Sequence, residues 1–171
     1  MVISDQTDSK SLSAHMAGHD LLVSTIGAFP KPEDTESHLM FNIAKAYIPS
    51  MLECGVKRLF TIFGAGLLGE TVPETFKDAA DGGAPHPIPL IQRDCKKAFD
   101  IIDAYKLDYT IWCPANFPGG DYSDKYITKK NEIPGASEVT TGMVAHSMAR
   151  EIEERQFIKA RVGISRTDVS Q

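Results

Sequence analysis

The sequence predicts an α/β domain with a mostly parallel sheet flanked by helices. Three observations carry that expectation. Short runs of strand length recur at Leu21–Ile26, Arg58–Phe63, Asp108–Cys113 and Phe157–Ile164, the first of them near-continuously apolar, as expected of a strand covered on both faces. Stretches with helical spacing of apolar residues lie between them. Small residues follow the runs directly, in Thr25-Ile26-Gly27-Ala28, Phe63-Gly64-Ala65-Gly66 and Pro114-Ala115-Asn116-Phe117.

In chain order, Met1–Ser4 reads as a short strand ending at Asp5. Ser9 or Ser11 then caps a helix to about Ala17, and Gly18 supplies its left-handed end. After the Leu21–Ile26 strand and a polar, proline-marked loop, Leu39, Ile43, Ala46, Tyr47 and Met51 mark a helix from Glu36. It stops at Cys54-Gly55, with a kink or break expected at Pro49. The strand Arg58–Phe63 leads into a long excursion over 67–89, with five prolines or glycines between Gly82 and Pro89. Excursions of this length in compact domains are usually functional or disordered. A helix over Ile91–Tyr105 and the strand Asp108–Cys113, stopped by Pro114, follow. Another glycine-bearing loop precedes a polar strand around Tyr126–Glu132. Thr140 or Thr141 caps the last helix, with Met143, Val144, Ser147, Met148 and Ile152 on its apolar face, and Phe157–Ile164 is the last strand.

The 171 residues suit one domain spanning 1–171, and no internal repeat is present. Hydrophobic residues make up 42% and charged residues 24%, an ordinary globular balance that excludes extensive disorder. A net charge of −5 with scattered lysines and arginines gives no footprint for nucleic acid or an anionic membrane. No run approaches the ~18 apolar residues of a membrane span, and the polar, acidic start lacks a signal peptide's apolar region. Cys54, Cys95 and Cys113 fit no metal or redox spacing and read as buried free thiols in a reducing compartment. A cytoplasmic protein is expected.

In open parallel sheets ligands bind beyond the carboxyl ends of the strands, and small residues there let a ligand approach the backbone. The three small-residue ends are therefore the candidate site, although Gly and Pro also simply terminate strands. The histidines, at 15, 19, 38, 86 and 146, are spread over different elements and suggest no metal site. His86, between Pro85 and Pro87, is the best-placed acid/base candidate. Tyr122 and Tyr126 either cover a flat substrate or, the plainer reading, pack against the domain. Trp112 and Cys113 belong to the core, and the G-x-S-x-G elbow of a serine hydrolase is absent.

Leu21–Gly27, Gly55-Val56-Lys57-Arg58-Leu59 and Leu107-Asp108-Tyr109-Thr110-Ile111-x-x-Pro114 resemble the atypical short-chain dehydrogenase/reductases. The closer resemblance is to their NAD(P)H-binding, NmrA-like branch with the biliverdin and flavin reductases. Asp5-x-Thr7-Asp8-x-x-Ser11-Leu12 and Gly18-x-Asp20 match that family's third strand and following helix, and Thr140–Glu154 its helix near the C-terminus. The resemblance implies a truncated Rossmann-like domain binding NADP or NAD. Asp5 would lie near the adenine; Thr25, Gly27, Ala28 and Phe29 would line the ribose and pyrophosphate. Ile62, Phe63 and Gly64, with Pro114, Ala115, Asn116 and Phe117, would flank the nicotinamide.

The resemblance places Lys96 at the lysine of the superfamily's Tyr-x-x-x-Lys pair and Gln92 at its tyrosine, where an amide is no proton donor near neutral pH. Gly64 replaces a serine common at its strand end, and Asn116 stands where the reductase branch has a histidine. The glycine-rich turn G-x-G-x-x-G is also missing, since no glycine precedes Gly18. The expected function is thus an NAD(P)H-dependent oxidoreductase-like domain acting on a small or flat acceptor. The alternative is a catalytically inactive NmrA-like regulator working through protein contacts, and a non-redox enzyme on the same scaffold comes third. Without the family's first two strands, which normally lie beside its third and fourth, apolar surface and a sheet edge stand open. A partner chain, a second copy, a swapped segment or a rearranged N-terminus is expected to close it.

Overall fold

The computed structural model describes residues 4–28, 30–31, 33–71, 88–116, 118–135 and 138–167. Helix α1 (Ser9–Met16) precedes strand β1 (Leu21–Ser24), helix α2 (Leu39–Cys54) and strand β2 (Arg58–Ile62). A 3-10 segment (Ala65–Thr71) follows, then helix α3 (Ile88–Ala104), strand β3 (Asp108–Pro114) and strand β4 (Tyr126–Lys130). Helix α4 (Thr141–Glu154) and strand β5 (Ala160–Arg166) complete the order. The five strands lie in the order β1-β2-β3-β5-β4. All neighbours are parallel except β4, which runs antiparallel to β5 with Thr128 opposite Ile164.

Alternation along the strands divides the core. Leu59, Tyr109, Ile111 and Cys113 face α2 and α3, among Ile43, Tyr47, Met51, Ala98 and Ile102. Phe60, Trp112, Val162 and Ile164 face α4, against Met143, Val144 and Met148. Both faces of the central strands are thus covered, which is why they read as continuous apolar runs.

Element ends depart from the sequence reading for local reasons. Asp8, rather than Ser9 or Ser11, caps α1 by accepting from Lys10 N–H. Ser4 lies outside any strand, and residues 1–3 lie outside the described residues. Helix α2 begins at Leu39, not Glu36, and runs unbroken through Pro49. Both Pro49 and Lys45, whose carbonyl loses its intrahelical donor, are on the exposed side, so the unmatched carbonyl is not stranded in the core. Gly55 ends this helix at φ 74°, with Val56 N–H reaching Met51 O at 2.8 Å. Strand β5 starts at Ala160 rather than Phe157 because Arg155 and Lys159, at φ 48° and 52°, turn the chain back after α4. Of the expected excursion, residues 72–87 lie outside the described residues.

The two sheet edges differ. Strand β4 carries exposed Lys129 and Lys130, charges that discourage a further strand. Strand β1 carries no charge, and Val23 on it is 46% exposed.

Candidate functional site

The carboxyl ends of β1 and β2 enclose a cavity of about 280 Å³. Thr25, Gly27 and Ala28 line it from β1, and Ile62, Phe63 and Gly64 from β2. These six of the expected cofactor residues therefore converge on one space. Ile26 joins them, and Met40 from α2 with Ile91 and Cys95 from α3 complete the wall. Gly64 leaves open room, since a Cβ there would meet nothing within 4 Å. Gly66 differs: a Cβ would come within 2.6 Å of the Gln92 side chain, so this glycine admits α3.

The other expected residues lie elsewhere. Pro114, Ala115 and Asn116 stand at the end of β3, beside the cavity wall rather than in it. Asn116 donates to Glu138 at 3.0 Å and accepts from Val139 N–H at 3.0 Å, tying the strand end to the approach of α4. Lys96 is exposed and paired with Asp100 one turn on. It sits one residue, about 100°, round α3 from Cys95, so Ile91 and Cys95 face the cavity where the resemblance implies Gln92 and Lys96. Asp5 is exposed and folds onto its own turn, where hydrogen bonds from Thr7 N–H and then the Thr7 hydroxyl hold its carboxyl below the usual range. Phe29, Phe117 and His86 lie outside the described residues.

Tyr122 and Tyr126 pack on the domain rather than over the strand ends. Both rings meet His146 edge-on, and Tyr126 OH lies 2.8 Å from His146 Nδ1. Met40, Ile91 and Cys95 had no sequence signal except their place on helical apolar faces.

Two helix N-termini, where a phosphate would find unpaired N–H groups, are already engaged. Asp94 of α3 is fully buried and accepts from Met40 N–H and Phe41 N–H, each at 3.0 Å, and from Ser37 Oγ at 2.7 Å. At α4, Thr141 and Gly142 N–H donate to Pro118 O and Gly120 O. Met143 N–H donates to Thr140 Oγ1 and Val144 N–H to Thr140 O.

Cys95 is the one ionisable side chain on the cavity wall among the described residues, and burial pushes its thiol up to about 12. Its thiol stays protonated near neutral pH and is a poor nucleophile. A raised folded pKa contributes stability below the unfolded value near 9, lost as pH climbs toward 12. Thermal melts between pH 8 and 10.5 should therefore fall less steeply for Cys95→Val than for the parent. Equal slopes would contradict a buried, titrating thiol.

A second groove, about 310 Å³, runs along β1, the outermost strand among the described residues, between Leu12, Met16, Leu22, Ile43 and Tyr47. Ser24 Oγ in it is buried and has no hydrogen-bond partner among the described residues.

A model of an NAD(P)H-binding family matches residues 1–155. The chain belongs to this NAD(P)H-binding family. An anaerobilin reductase, ChuY, from Escherichia coli O157:H7 superposes with TM-score 0.74 at 17% identity, covering 98% of this chain and 75% of its own. A Rossmann-fold NAD(P)-binding family protein from Shigella flexneri gives 0.68 at 22%, covering 99% and 72%. A short-chain dehydrogenase/reductase from Veillonella parvula gives 0.72 at 14%, covering 96% and 70%. These likenesses establish the Rossmann-like fold, in which the chain spans roughly three-quarters of each neighbour. No curated protein matches it. Among the described residues no helix of this NAD(P)H-binding domain is long and apolar enough to cross a membrane.

The wall suits part of the family's cofactor. Small, apolar strand ends and the open face of Gly64 fit a flat ring and its sugar. The engaged helix ends offer no comparable seat for the phosphates.

Proposed function

We propose that this chain is an NAD(P)H-dependent reductase domain of the NmrA-like, short-chain dehydrogenase/reductase kind, taking NADP or NAD and reducing a small or flat acceptor. The convergence of the β1 and β2 ends on one apolar cavity carries the reading. Bound NAD(P)H supplies the hydride. The chain's residues orient and shield: Gly27, Ala28 and Gly64 let a ring lie close to the backbone, and Met40 and Ile91 exclude water. With no side chain on that wall titrating near neutrality among the described residues, solvent delivers the proton. The free, buried Cys95 and Cys113 support a cytoplasmic location.

Titration of NADPH and NADH, followed by ligand fluorescence, should give saturable binding on the order of micromolar. Gly64→Leu should weaken it at least about tenfold, about 1.4 kcal/mol, with an unchanged melting temperature. No binding up to millimolar by a folded protein would overturn the proposal.

The uncharged β1 edge and its groove favour a second reading, an inactive NmrA-like regulator acting through protein contacts. In either reading we assign a covering chain, a partner or a second copy, to that edge. A folded chain that ignores nucleotide yet forms a defined complex through β1 would establish the regulator.

A further inference from the structure

We infer that Asp94 is a positioning residue that holds the cofactor cavity in shape, by clamping the start of α2 to α3. The inference deepens the proposed function and rests on it for the cofactor half alone. Asp94 is fully buried, and both carboxylate oxygens are committed. Oδ2 accepts from Ser37 Oγ at 2.7 Å and Met40 N–H at 3.0 Å; Oδ1 accepts from Phe41 N–H at 3.0 Å. None of these partners is local, since they lie 53 to 57 residues earlier in the chain. The helix's own N-cap, His38, makes no side-chain capping bond, so the first turn of α2 depends on α3 for its cap.

That turn forms part of the site. Met40, whose N–H Asp94 receives, lines the cavity. Cys95, the residue after Asp94, lines the opposite wall with Ile91. One carboxylate therefore sets the separation of two cavity walls without touching the space between them. The negative charge also complements the positive end of α2. An asparagine cannot replace it: three donors converge on the group, and an amide offers a single acceptor oxygen and an NH₂ that repels the remaining donors.

The test uses the full chain and reads the wall directly. Iodoacetamide labelling at pH 8, resolved by peptide mass spectrometry, measures Cys95 and Cys113 separately. Cys113 is 1% exposed and does not line the cavity, so it reports general opening. Asp94→Asn should raise Cys95 labelling about tenfold or more, the effect of losing a charged hydrogen bond, while Cys113 stays protected. Ser37→Ala, which removes one donor, should raise it less and serves if Asp94→Asn fails to fold. Ser147→Ala, which takes the partner from Trp112 Nε1 on the other face of the sheet, should leave the ratio of the two rates unchanged. Cys95 labelling within twofold of the parent in both cavity variants, or Cys95 and Cys113 rising together, would overturn the clamp. In parallel, NADPH affinity should drop about tenfold in Asp94→Asn, and an unchanged affinity beside a raised Cys95 rate would overturn its role in cofactor binding. A parent that binds no NADPH sinks the proposed function, while the labelling still decides whether Asp94 holds the wall.

Discussion

Glu151→Ala is expected to lower stability by about 3–5 kcal/mol, the cost of stranding a buried charge. Glu151 lies at the end of the sheet away from the cavity, with its side chain 2% exposed. Its Oε1 accepts from Arg58 Nη2 at 2.8 Å and Phe157 N–H at 2.9 Å, and Oε2 from Gln156 N–H at 3.0 Å. Arg58 also donates to Asp108 O at 2.8 Å and lies over the Phe60 ring. The Arg58–Glu151 pair thus joins β2, β3, α4 and the turn into β5. Burial pulls the Arg58 pKa down and Glu151 opposes that, so alanine would leave the guanidinium desolvated with two stranded N–H groups. Urea unfolding should show a lower midpoint at unchanged slope. Glu151→Gln should cost less, because it still accepts hydrogen bonds. A loss below about 1 kcal/mol for alanine would mean that the pair is solvated and weak.

Gly163→Ala should be as severe for a steric reason. A Cβ at position 163 would run into Glu132 O, and would come within 2.9 Å of that residue's carbonyl carbon and 3.0 Å of Ile133 Cα. These are backbone atoms with no rotamer to escape into. The crossing segment is also fixed to β5 by Asn131 N–H on Arg161 O, Arg161 N–H on Asn131 Oδ1 and Ser165 Oγ on Gly135 O. The expected loss is about 3 kcal/mol or an insoluble chain, within the large mutational effects assigned to overpacking and broken networks. Gly119→Ala, where a Cβ meets nothing within 4 Å, should stay within about 0.5 kcal/mol. Equal melting temperatures for the two variants would contradict the close crossing.

The strand order follows from what the sequence displays openly. Leu59-Phe60 and Ile111-Trp112 are apolar on both faces because both faces are covered, and Gly55 marks a helix end because only its φ of 74° turns the chain there. The small residues at 25–28 and 62–64 located the cavity, since close approach to backbone is a property of residue type. The α3 wall was less legible: Ile91 and Cys95 differ from Gln92 and Lys96 by a single step of helix rotation, which apolar periodicity fixes only loosely. Pro49 misled because its effect depends on which side of α2 faces water. Asp94 was invisible, since a buried carboxylate with partners more than 50 residues away has no local pattern.

That last separation bears on the order in which the molecule assembles. The first turn of α2 has no acidic residue of its own and no local side-chain cap. Its N–H groups gain their acceptor only after β2 and α3 have come into place and the intervening loop has closed, a step whose entropic cost precedes any contact. Helix α2 is therefore expected to nucleate from its Met51–Gly55 end and to zip toward Leu39 late. In hydrogen exchange, Met40 and Phe41 should acquire protection after Ile48 and Met51 during refolding. The wall of the cavity is thus a late product of the fold.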